Sequence, residues 1–379
     1  MSKSLVLFGG SFDPPHIGHD AIVCALFAGL NPDMLIIIPT GTPPHKAKSL
    51  FVPDSERMEM AQLAFGGMDK VLISDYEIQK REPCFTIDTV RWLKRQYSGY
   101  DITVAIGSDE ANSFDSWKNP GDILALAQIS VFHREGEKRN IDSRFLHLEG
   151  DIPAVSSTKL RALIARGEFD AAHEFITNDV YNYVLRSGLY VLRLSKKRLI
   201  HSRNVAETAR RLAGIYGENE ELAYKAGLYH DIAKENDFEK MLKNVEKWVL
   251  TTSESRDIIQ NVEYWRDYPK VLHAYAGAEE VYDKYFHLLD HSDDALSAIR
   301  YHTSGRADMS LLEKIIFVAD AVSAERRYDG VLAIRRQAFT DINKAAALIL
   351  KRTLFLLSKY HLKIFPLTTE AYSYYKIYE

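Results

Sequence analysis

The sequence predicts two domains, an α/β domain built on a parallel sheet followed by an all-α helical bundle. At 379 residues the chain is long for a single hydrophobic core. The first half alternates strand-like apolar runs with helical periodicity, which is typical of a parallel sheet covered by helices. The second half shows helical periodicity and no convincing strand. Composition changes within RSGLYVLRLSKKRL, so we place the boundary near residue 193 and expect domains at residues 1–193 and 194–379.

The strands of the first domain are expected at five short apolar runs. They are LVLF (5–8), MLIIIP (34–39), KVLIS (70–74), ITVAIG (102–107) and QISVFH (128–133). Between them, SERMEMAQLAF (55–65) and IDTVRWLKRQY (87–97) carry apolar residues at helical spacing. Because strands and helices alternate along the chain, the strands are expected to be parallel.

Helices are expected throughout the second domain. The clearest are SRNVAETARRLAGIYG (202–217), ELAYKAGLYHDIAKE (221–235), HAYAGAEEVYDKYF (273–286) and MSLLEKIIFVADAVSAE (309–325). Each repeats apolar residues three and four positions apart, as a helix with one buried face does.

Bulk properties exclude several classes of protein. A net charge of −4 and a pI near 6.4 give no basic field for binding nucleic acid. Two cysteines, Cys24 and Cys84, are too few for a disulfide framework and indicate a reducing, cytoplasmic setting. No signal-peptide pattern is expected at the start, and Lys351 and Arg352 interrupt the apolar run AAALILKRTLFLL, so no membrane association is expected. A homo-oligomer is compatible with this composition.

The stretch GGSFDPPHIGH (9–19) has the residues of an anion-binding turn at the start of a helix. Its leading glycines allow a sharp turn, and Gly18 is expected to leave room for a ligand. His16 and His19 share one face of the first helical turn, where free amides and the helix dipole attract phosphate. Taken alone, the stretch is more often a Gly-Pro loop with two surface histidines.

Two further stretches favour the phosphate interpretation. PTGTPPHK offers Lys46 from a proline-stiffened loop, although a solvated loop lysine is the alternative. AVSSTKLR begins a helix with a serine–threonine cluster and places Arg161 one turn later. For Ser157 the alternative is a plain N-cap. Three such stretches at strand-to-helix junctions together predict one phosphate pocket.

The pattern GxFDPxHxGH followed by SSTxxR resembles the HxGH nucleotidyltransferase superfamily, whose fold is a Rossmann-like parallel sheet. Within it, the chain is similar to bacterial nicotinate mononucleotide adenylyltransferases over about residues 4–190. FTIDTV (85–90) and IGSDEANSFDSW (106–117) carry this closer likeness. The related pantetheine-phosphate adenylyltransferases and cytidylyltransferases share the HxGH part and lack that combination. Nicotinamide mononucleotide and phosphopantetheine stay open as alternative acceptors.

The resemblance implies adenylyl transfer from ATP, accompanied by Mg²⁺, to nicotinate mononucleotide. The acceptor phosphate attacks the α-phosphorus directly, so no covalent enzyme intermediate is required. The residues expected at the triphosphate are Gly9, Gly10, Ser11, Phe12, His16, His19, Lys46, Ser157, Thr158 and Arg161.

The resemblance also implies contacts with the two nucleosides. Gly107 and Asp109, after the fourth strand, are expected to contact the adenosine. Thr86 is expected to hold the acceptor. Trp117 is expected to stack on the pyridine ring, with a half-buried core aromatic as the alternative.

The helical half carries six potential metal ligands, each in a predicted helix or at its edge, with His230 and Asp231 adjacent on the same helix. They are His201, His230, Asp231, His273, His302 and Asp320. Metal sites in the cores of helical bundles are built from such scattered side chains. Imidazole combined with carboxylate suits iron, manganese or zinc.

This pattern resembles the HD-domain metal-dependent phosphohydrolases. Over about residues 195–340 it is similar to stand-alone bacterial HD proteins that split diadenosine tetraphosphate symmetrically. The resemblance implies dinucleoside polyphosphates as substrates and a dinuclear centre, with iron as the expected metal. The implied ligands are His201, His230 and Asp320 for one metal, His273 and His302 for the other, and Asp231 as a bridge. Lys234 and Arg306 are the candidates for holding substrate phosphates.

Alternatives stay open for the helical half. It could be a nucleotide-sensing regulatory module with little turnover, although degenerate HD sensors usually lose a ligand and none is missing here. His273 could be a buried, hydrogen-bonded histidine without a metal. His287 and His291 have i, i+4 metal spacing, but we expect them to be surface residues outside the ligand set.

Overall fold

The computed structural model describes residues 3–41, 52–80, 82–133, 142–251 and 262–379. Contacts divide the chain into two compact units, Met1–Tyr190 and Val191–Glu379. No described helix has both the length and the apolar character that crossing a membrane requires.

The first unit is built on a six-stranded, fully parallel sheet. Its strands are β1 (Lys3–Gly10), β2 (Met34–Pro39), β3 (Val71–Ile73), β4 (Tyr100–Gly107), β5 (Gln128–Phe132) and β6 (Leu146–Leu148). They lie in the order β3-β2-β1-β4-β5-β6, and every neighbouring pair is parallel. This is a Rossmann order, in which the chain moves outward in both directions from β1 and β4. The carboxyl ends of those two strands form the crevice where such sheets bind ligands.

The five predicted strands are confirmed, and β6 was missed. With the sequence LHL, β6 is too short to show a strand pattern, and it is placed by pairing with β5. The parallel sheet and the α/β class of the first unit are as predicted.

Helices cover both faces of this sheet. They are α1 (Ile17–Leu30), α2 (Asp54–Phe65), α3 (Tyr76–Gln79), α4 (Thr86–Gln96), α5 (Ser108–Asn112), α6 (Pro120–Leu126), α7 (Ser157–Arg166), α8 (Phe169–His173) and α9 (Asn178–Ser187). Alternate residues of β1 belong to different cores: Leu5 and Leu7 pack on one face, Val6 and Phe8 on the other. Because both faces are buried, the central strands read as continuous apolar runs.

The second unit is helical throughout the part of it that is described. Its helices are α10 (Lys196–Tyr216), α11 (Glu220–Tyr229), α12 (Phe238–Thr251), α13 (Val262–Asp267), α14 (Pro269–Tyr285), α15 (Asp293–Tyr301), α16 (Leu311–Val322), α17 (Val331–Ala338), α18 (Ile342–Lys359) and α19 (Pro366–Tyr375). α16 is the central helix and packs against α10, α11, α15, α17 and α18. The all-α prediction for this half is confirmed.

Close packing of α11 against α10 depends on one glycine. A Cβ added at Gly227 would lie 2.8 Å from the Cα of Ala206, which is closer than real Cβ atoms approach. The two helices therefore meet backbone to backbone. This contact fixes the end of α11, which His230 follows, against the middle of α10, between one and two turns after His201.

Candidate phosphate pocket and metal centre

The turn after β1 brings two histidines to the start of α1. His16 is the N-cap residue, with extended backbone angles, and His19 lies in the first turn. Their rings are 3.8 Å apart between centroids, and both side chains are nearly buried. The backbone amide of His16 donates to Nδ1 of His19 over 3.1 Å. Because Nδ1 accepts, the neutral His19 ring carries its proton on Nε2, where it can donate to an anion.

Gly18 serves this pair rather than a ligand. A Cβ at Gly18 would meet Nδ1 of His16 and a methyl carbon of Val155, each at 3.0 Å. The expectation that Gly18 leaves room for a ligand is wrong, because the ring of His16 occupies that space.

The helix start in SSTKLR packs directly on the FDPPH turn. The hydroxyl of Ser157 donates to the carbonyl of Pro14 over 2.9 Å, and Nη1 of Arg161 donates to the carbonyl of Asp13 over 2.6 Å. Nη2 of Arg161 also donates to the hydroxyl of Thr158 over 3.0 Å. Two of the three predicted phosphate stretches are thus brought together, while Lys46 lies outside the described residues.

The N-cap of α7 is Ser156, whose side chain accepts from the amide of Lys159 over 3.2 Å. The alternative in which Ser157 is a plain N-cap is therefore wrong. The helix places free amides of its first turn beside the His16 turn, which is the arrangement that attracts phosphate.

Arg57 supports this site and was missed from the sequence. Its side chain is fully buried, and Nη1 donates to the carbonyl of Ser11 over 2.9 Å. Nη2 donates to the carbonyl of Thr40 over 2.5 Å and pairs with Asp54 over 2.6 Å. Arg57 therefore joins the turn after β1 to the turn after β2. An arginine among the apolar residues of SERMEMAQLAF was the available signal.

The remaining predicted residues of the first unit lie along or near the same sheet edge. Gly107 ends β4, and its amide donates to the carboxylate of Glu110 over 2.9 Å. Asp109 is exposed in the first turn of α5, and Thr86 begins α4. Trp117 is half-buried and packs against the sheet core, its ring 5.3 Å from that of Phe114 between centroids. The roles of these residues toward nucleosides stay predictions.

In the second unit, all six predicted metal ligands converge. His201 comes from α10, His273 from α14 and Asp320 from α16, while the others directly follow α11 and α15. Nε2 of His201 lies 3.0 Å from Oδ1 of Asp320, and Nε2 of His273 lies 3.1 Å from Oδ1 of Asp231. Two groups have ligand atoms all within 4.8 Å of one another: His201, His230 and Asp320, and His230, Asp231 and His302. Nε2 of His273 lies 3.2 Å from Nε2 of His302 and so joins the second group.

The rings of His230 and His302, each at the end of a helix, are oriented by the same kind of hydrogen bond. Nδ1 of His230 donates to the carbonyl of Gly227 over 2.6 Å, and Nδ1 of His302 donates to the carbonyl of Ile299 over 2.7 Å. Each carbonyl belongs to the last turn of the preceding helix, which would otherwise leave it unpaired. With Nδ1 so engaged, Nε2 of each ring carries the lone pair and faces the centre.

His201 is oriented by a carboxylate that sequence reasoning missed. Its Nδ1 donates to Oε1 of Glu325. Glu325 is itself held by Nδ2 of Asn204 and the hydroxyl of Ser323, each at 2.7 Å. A carboxylate behind a ligating imidazole fixes its tautomer and raises its basicity.

The residues at the centre fit divalent metal ions. Burial lowers the pKa of His230 to about 4 and that of His273 to about 3, so both rings are neutral near pH 7. Burial alone would raise the pKa of Asp231, but the surrounding histidines hold it well below its ordinary value. Nε2 of His230 and Oδ1 of Asp231 are buried and accept no hydrogen bond from the described residues. Neutral imidazoles and ionised carboxylates with unused lone pairs are metal ligands in their binding form.

Cations surround this cluster, and two of them were missed. Nζ of Lys234 lies 2.8 Å from Nε2 of His273 and 3.5 Å from Oδ1 of Asp231. Arg198 lies 3.3 Å from Oδ2 of Asp231, and Arg326 pairs with Asp320. Arg198 was missed because it lies in the basic stretch that was interpreted as the boundary between the domains.

Arg306 is engaged elsewhere in this structure. Its Nε and Nη2 each donate to the carboxylate of Glu313 over 2.8 Å, and Glu313 accepts from the amide of Ser310 at the start of α16. Its proposed contact with phosphate stays a prediction. His287 and His291 are exposed, as expected.

A cavity of about 220 Å³ opens beside the metal ligands. His302 and Asp320 form part of its wall, and Arg326 adds a cation. The metal ligands His302 and Asp320 are therefore accessible from this cavity.

Comparisons with known proteins give each unit a family. A model of the Cytidylyltransferase-like family matches residues 7–163, and one of the HD domain matches residues 198–325. A Clostridium tetani protein named as a probable nicotinate-nucleotide adenylyltransferase is 32% identical over 200 residues, covering 50% of this chain and 99% of its own length.

Two further proteins each match more than half of this chain. A Mycoplasma genitalium protein named as a probable nicotinate-nucleotide adenylyltransferase/Ap4A hydrolase is 26% identical over 336 residues, which cover 87% of this chain and 90% of that protein. A Clostridium acetobutylicum protein of known crystal structure, described as a predicted HD superfamily hydrolase involved in NAD metabolism, is 34% identical. The match covers 52% of this chain and 95% of that protein's chain, with a TM-score of 0.43.

Proposed function

This chain belongs to the nicotinate-nucleotide adenylyltransferases, with a Cytidylyltransferase-like first domain fused to an HD domain, and we propose that it is a bifunctional enzyme. Its first activity is adenylyl transfer that makes a pyridine dinucleotide. Its second is metal-dependent hydrolysis of dinucleoside polyphosphates. We assign the first to residues 1–193 and the second to residues 194–379.

In the first reaction, a phosphate oxygen of nicotinate mononucleotide attacks the α-phosphorus of ATP. The new P–O bond forms as the bond between the α-phosphorus and the bridging oxygen breaks, so nicotinate adenine dinucleotide and pyrophosphate result. We assign His16 and His19 to the charge that develops on the leaving pyrophosphate. The observation that supports this most is the packing of Arg161 and Ser157 onto the turn that carries both histidines.

The other residues of this site complete the assignment. Thr158, Ser157 and Arg161 would hold the outer phosphates of ATP with its Mg²⁺. Lys46 is retained as a catalytic residue on the sequence alone. The turn at Gly9, Gly10, Ser11 and Phe12 lines the phosphates, Gly107 and Asp109 face the adenosine, and Thr86 and Trp117 face the acceptor.

Nicotinate mononucleotide is the proposed acceptor because relatives that match half or more of the chain carry nicotinate-nucleotide adenylyltransferase in their names. Rates with nicotinate mononucleotide, nicotinamide mononucleotide and phosphopantetheine, measured on the full chain, test the choice. The fastest transfer should go to nicotinate mononucleotide. Equal or faster transfer to either other acceptor would contradict it.

In the second reaction, one water cleaves diadenosine tetraphosphate at its central anhydride bond, giving two molecules of ADP. The Ap4A hydrolase in the name of the Mycoplasma relative supports this substrate. We propose that His201, His230 and Asp320 hold one metal, that His273 and His302 hold another, and that Asp231 bridges them. Bound divalent metals, for which we propose iron, supply Lewis acidity and lower the pKa of water.

The protein side chains around the centre position the substrate in this proposal. Lys234 lies within 3.5 Å of Asp231 and is placed to meet a phosphate beside the ligands. Burial lowers the pKa of Lys234, while the charge of Asp231 acts in the opposite direction. Arg306 is a second phosphate candidate, although its pairing with Glu313 would first have to open.

The single observation that carries the hydrolytic assignment is the complete ligand set, buried except for the half-buried Asp320, in which Nε2 of His230 and Oδ1 of Asp231 have unused lone pairs. A sensing module without turnover would need no such complete set, and this observation disfavours that alternative. Incubating the full chain with diadenosine tetraphosphate and Fe²⁺ or Mn²⁺ tests it. ADP should accumulate as the only nucleotide product. Unchanged substrate, or formation of ATP with AMP, would overturn the symmetric hydrolase.

A further inference from the structure

The cavity beside the metal ligands has a second wall that lies outside the HD family match. That match ends at residue 325, whereas Tyr328, Ile349, Arg352 and Thr353 also line the cavity. The last three project from α18 at positions i, i+3 and i+4, which share one helix face. α18 therefore supplies this chain with cavity residues that the common family core does not contain.

Arg352 is fixed over the ring of Tyr328. Its guanidinium carbon lies 3.9 Å from the ring centroid, a distance at which a cation and an aromatic face attract. The hydroxyl of Tyr328 donates to the carbonyl of Ala321 over 3.0 Å, which holds the ring in place. A guanidinium stacked on one face keeps its N–H edge available for an anion.

Arg352 differs in its charge balance from Arg326, which also lines the cavity, and from Lys234, which lies beside the metal ligands. Arg326 is paired with Asp320, and Lys234 lies beside Asp231. Among the described residues, no carboxylate forms an ion pair with Arg352, which is half-buried. The adjacent Lys351 pairs with Glu379 instead. The cavity thus contains one stacked, unneutralised guanidinium on the side that α18 contributes.

We infer that Arg352, held by Tyr328 and flanked by Thr353, binds a substrate phosphate next to the one that is cleaved. At about 220 Å³ the cavity is smaller than the roughly 300–1,000 Å³ of pockets that enclose whole ligands. It therefore suits phosphates better than a nucleoside. The site would select substrates whose reacting phosphate continues into a polyphosphate chain. This inference rests on the proposed hydrolase function.

Steady-state kinetics of the full chain with diadenosine tetraphosphate test this. Arg352→Gln should raise KM about 10- to 100-fold, the effect of losing a charge-assisted contact, with a smaller change in kcat. The KM of Arg352→Lys should lie between those of the wild type and Arg352→Gln, since lysine keeps the charge and loses the paired N–H donors of the guanidinium. Lys351→Gln is the matched control, because it removes one positive charge from the neighbouring position of the same helix.

Metal content and melting temperature of each variant separate binding from folding. Arg352→Gln should keep the metal content of the wild type. A KM equal to that of Lys351→Gln, or a loss of metal, would overturn the role of Arg352 while leaving the hydrolase assignment intact. If the wild type itself leaves diadenosine tetraphosphate uncleaved, the proposed function fails and this inference falls with it.

Discussion

Nη1 of Arg161 donates a 2.6 Å hydrogen bond to the backbone carbonyl of Asp13, although 148 positions separate the two residues. The bond fixes the start of α7 against the turn that carries His16 and His19. The side chain of Asp13 is also held, because its carboxylate accepts a hydrogen bond from the hydroxyl of Tyr190 over 2.7 Å. The candidate phosphate pocket is therefore assembled from the two ends of the first unit.

Arg161→Gln tests the proposed phosphate contact. The variant should raise the KM for ATP in adenylyl transfer about 10- to 100-fold, because a charged donor to the outer phosphates is lost. Hydrolysis of diadenosine tetraphosphate should be unchanged. Arg166→Gln, at the exposed end of the same helix where it pairs with Glu168, is the control and should behave as wild type. Equal KM values for the two variants would remove Arg161 from the site.

Arg57→Met tests the buried strut between the two turns. Removal of the guanidinium leaves the carbonyls of Ser11 and Thr40 without their donor. We expect the free energy of unfolding of the first unit to fall by about 3 kcal/mol. Arg91→Met, which breaks an exposed pair with Asp122, should cost less than about 1 kcal/mol. Calorimetry on both variants measures the difference, and similar losses would show that Arg57 is not a strut.

Glu325→Gln tests the orientation of His201. The amide cannot provide the charge that holds the Nδ1 proton, so affinity for the metal should fall about 10- to 100-fold. Isothermal titration calorimetry with Mn²⁺ measures this affinity. Glu207→Gln, on the exposed face of α10 beside Arg210, is the control and should bind as the wild type does. An unchanged affinity in Glu325→Gln would separate Glu325 from the metal centre.

Asp20 should make the first unit less stable as pH rises, which is the opposite of the usual effect of a carboxyl group. Burial raises its pKa from 3.8 to about 6, so between those values the folded state binds more protons than the unfolded state. Stability contributed by this group should therefore fall as pH rises from about 4 to about 6. Asp20→Asn should flatten that slope in denaturant unfolding measured across the range.

Asp33 provides the contrasting control. Its pKa is lowered by hydrogen bonds from Ser4, so its contribution is present at neutral pH and is lost as pH falls. Asp33→Asn should leave the slope between pH 4 and 6 that Asp20 causes. If Asp20→Asn and the wild type show the same pH dependence, the half-buried carboxyl of Asp20 is not the source of that dependence.

Much of this architecture was predictable because local pattern and tertiary structure agree. The alternation of apolar and helical runs predicted the parallel sheet, and scattered histidines at helix edges predicted the metal ligands. His230 and His302 sit where α11 and α15 end, so the backbone itself aims their rings. The orientation of these ligands depends on where they lie relative to the helix end, and the helix itself can be predicted from sequence periodicity.

The polar residues behind the ligands were not predictable for the opposite reason. Glu325, Arg198 and Arg326 act through partners that only the packing of separate helices brings near. Arg352 entered the sequence argument only as a charge interrupting an apolar run. Its stacking on Tyr328 depends on how α18 packs against the segment after α16, and no local pattern encodes that contact.

We propose that this chain carries two separate active sites. Both reactions can be assayed on full-length wild type and on the variants His19→Ala and Asp231→Asn. His19→Ala should lose adenylyl transfer by about 100-fold or more and keep hydrolysis, because it removes a donor to developing charge. Asp231→Asn should lose hydrolysis to a similar or greater extent and keep adenylyl transfer. If either variant lost both activities, or neither variant lost the assigned one, the account of two independent sites would be contradicted.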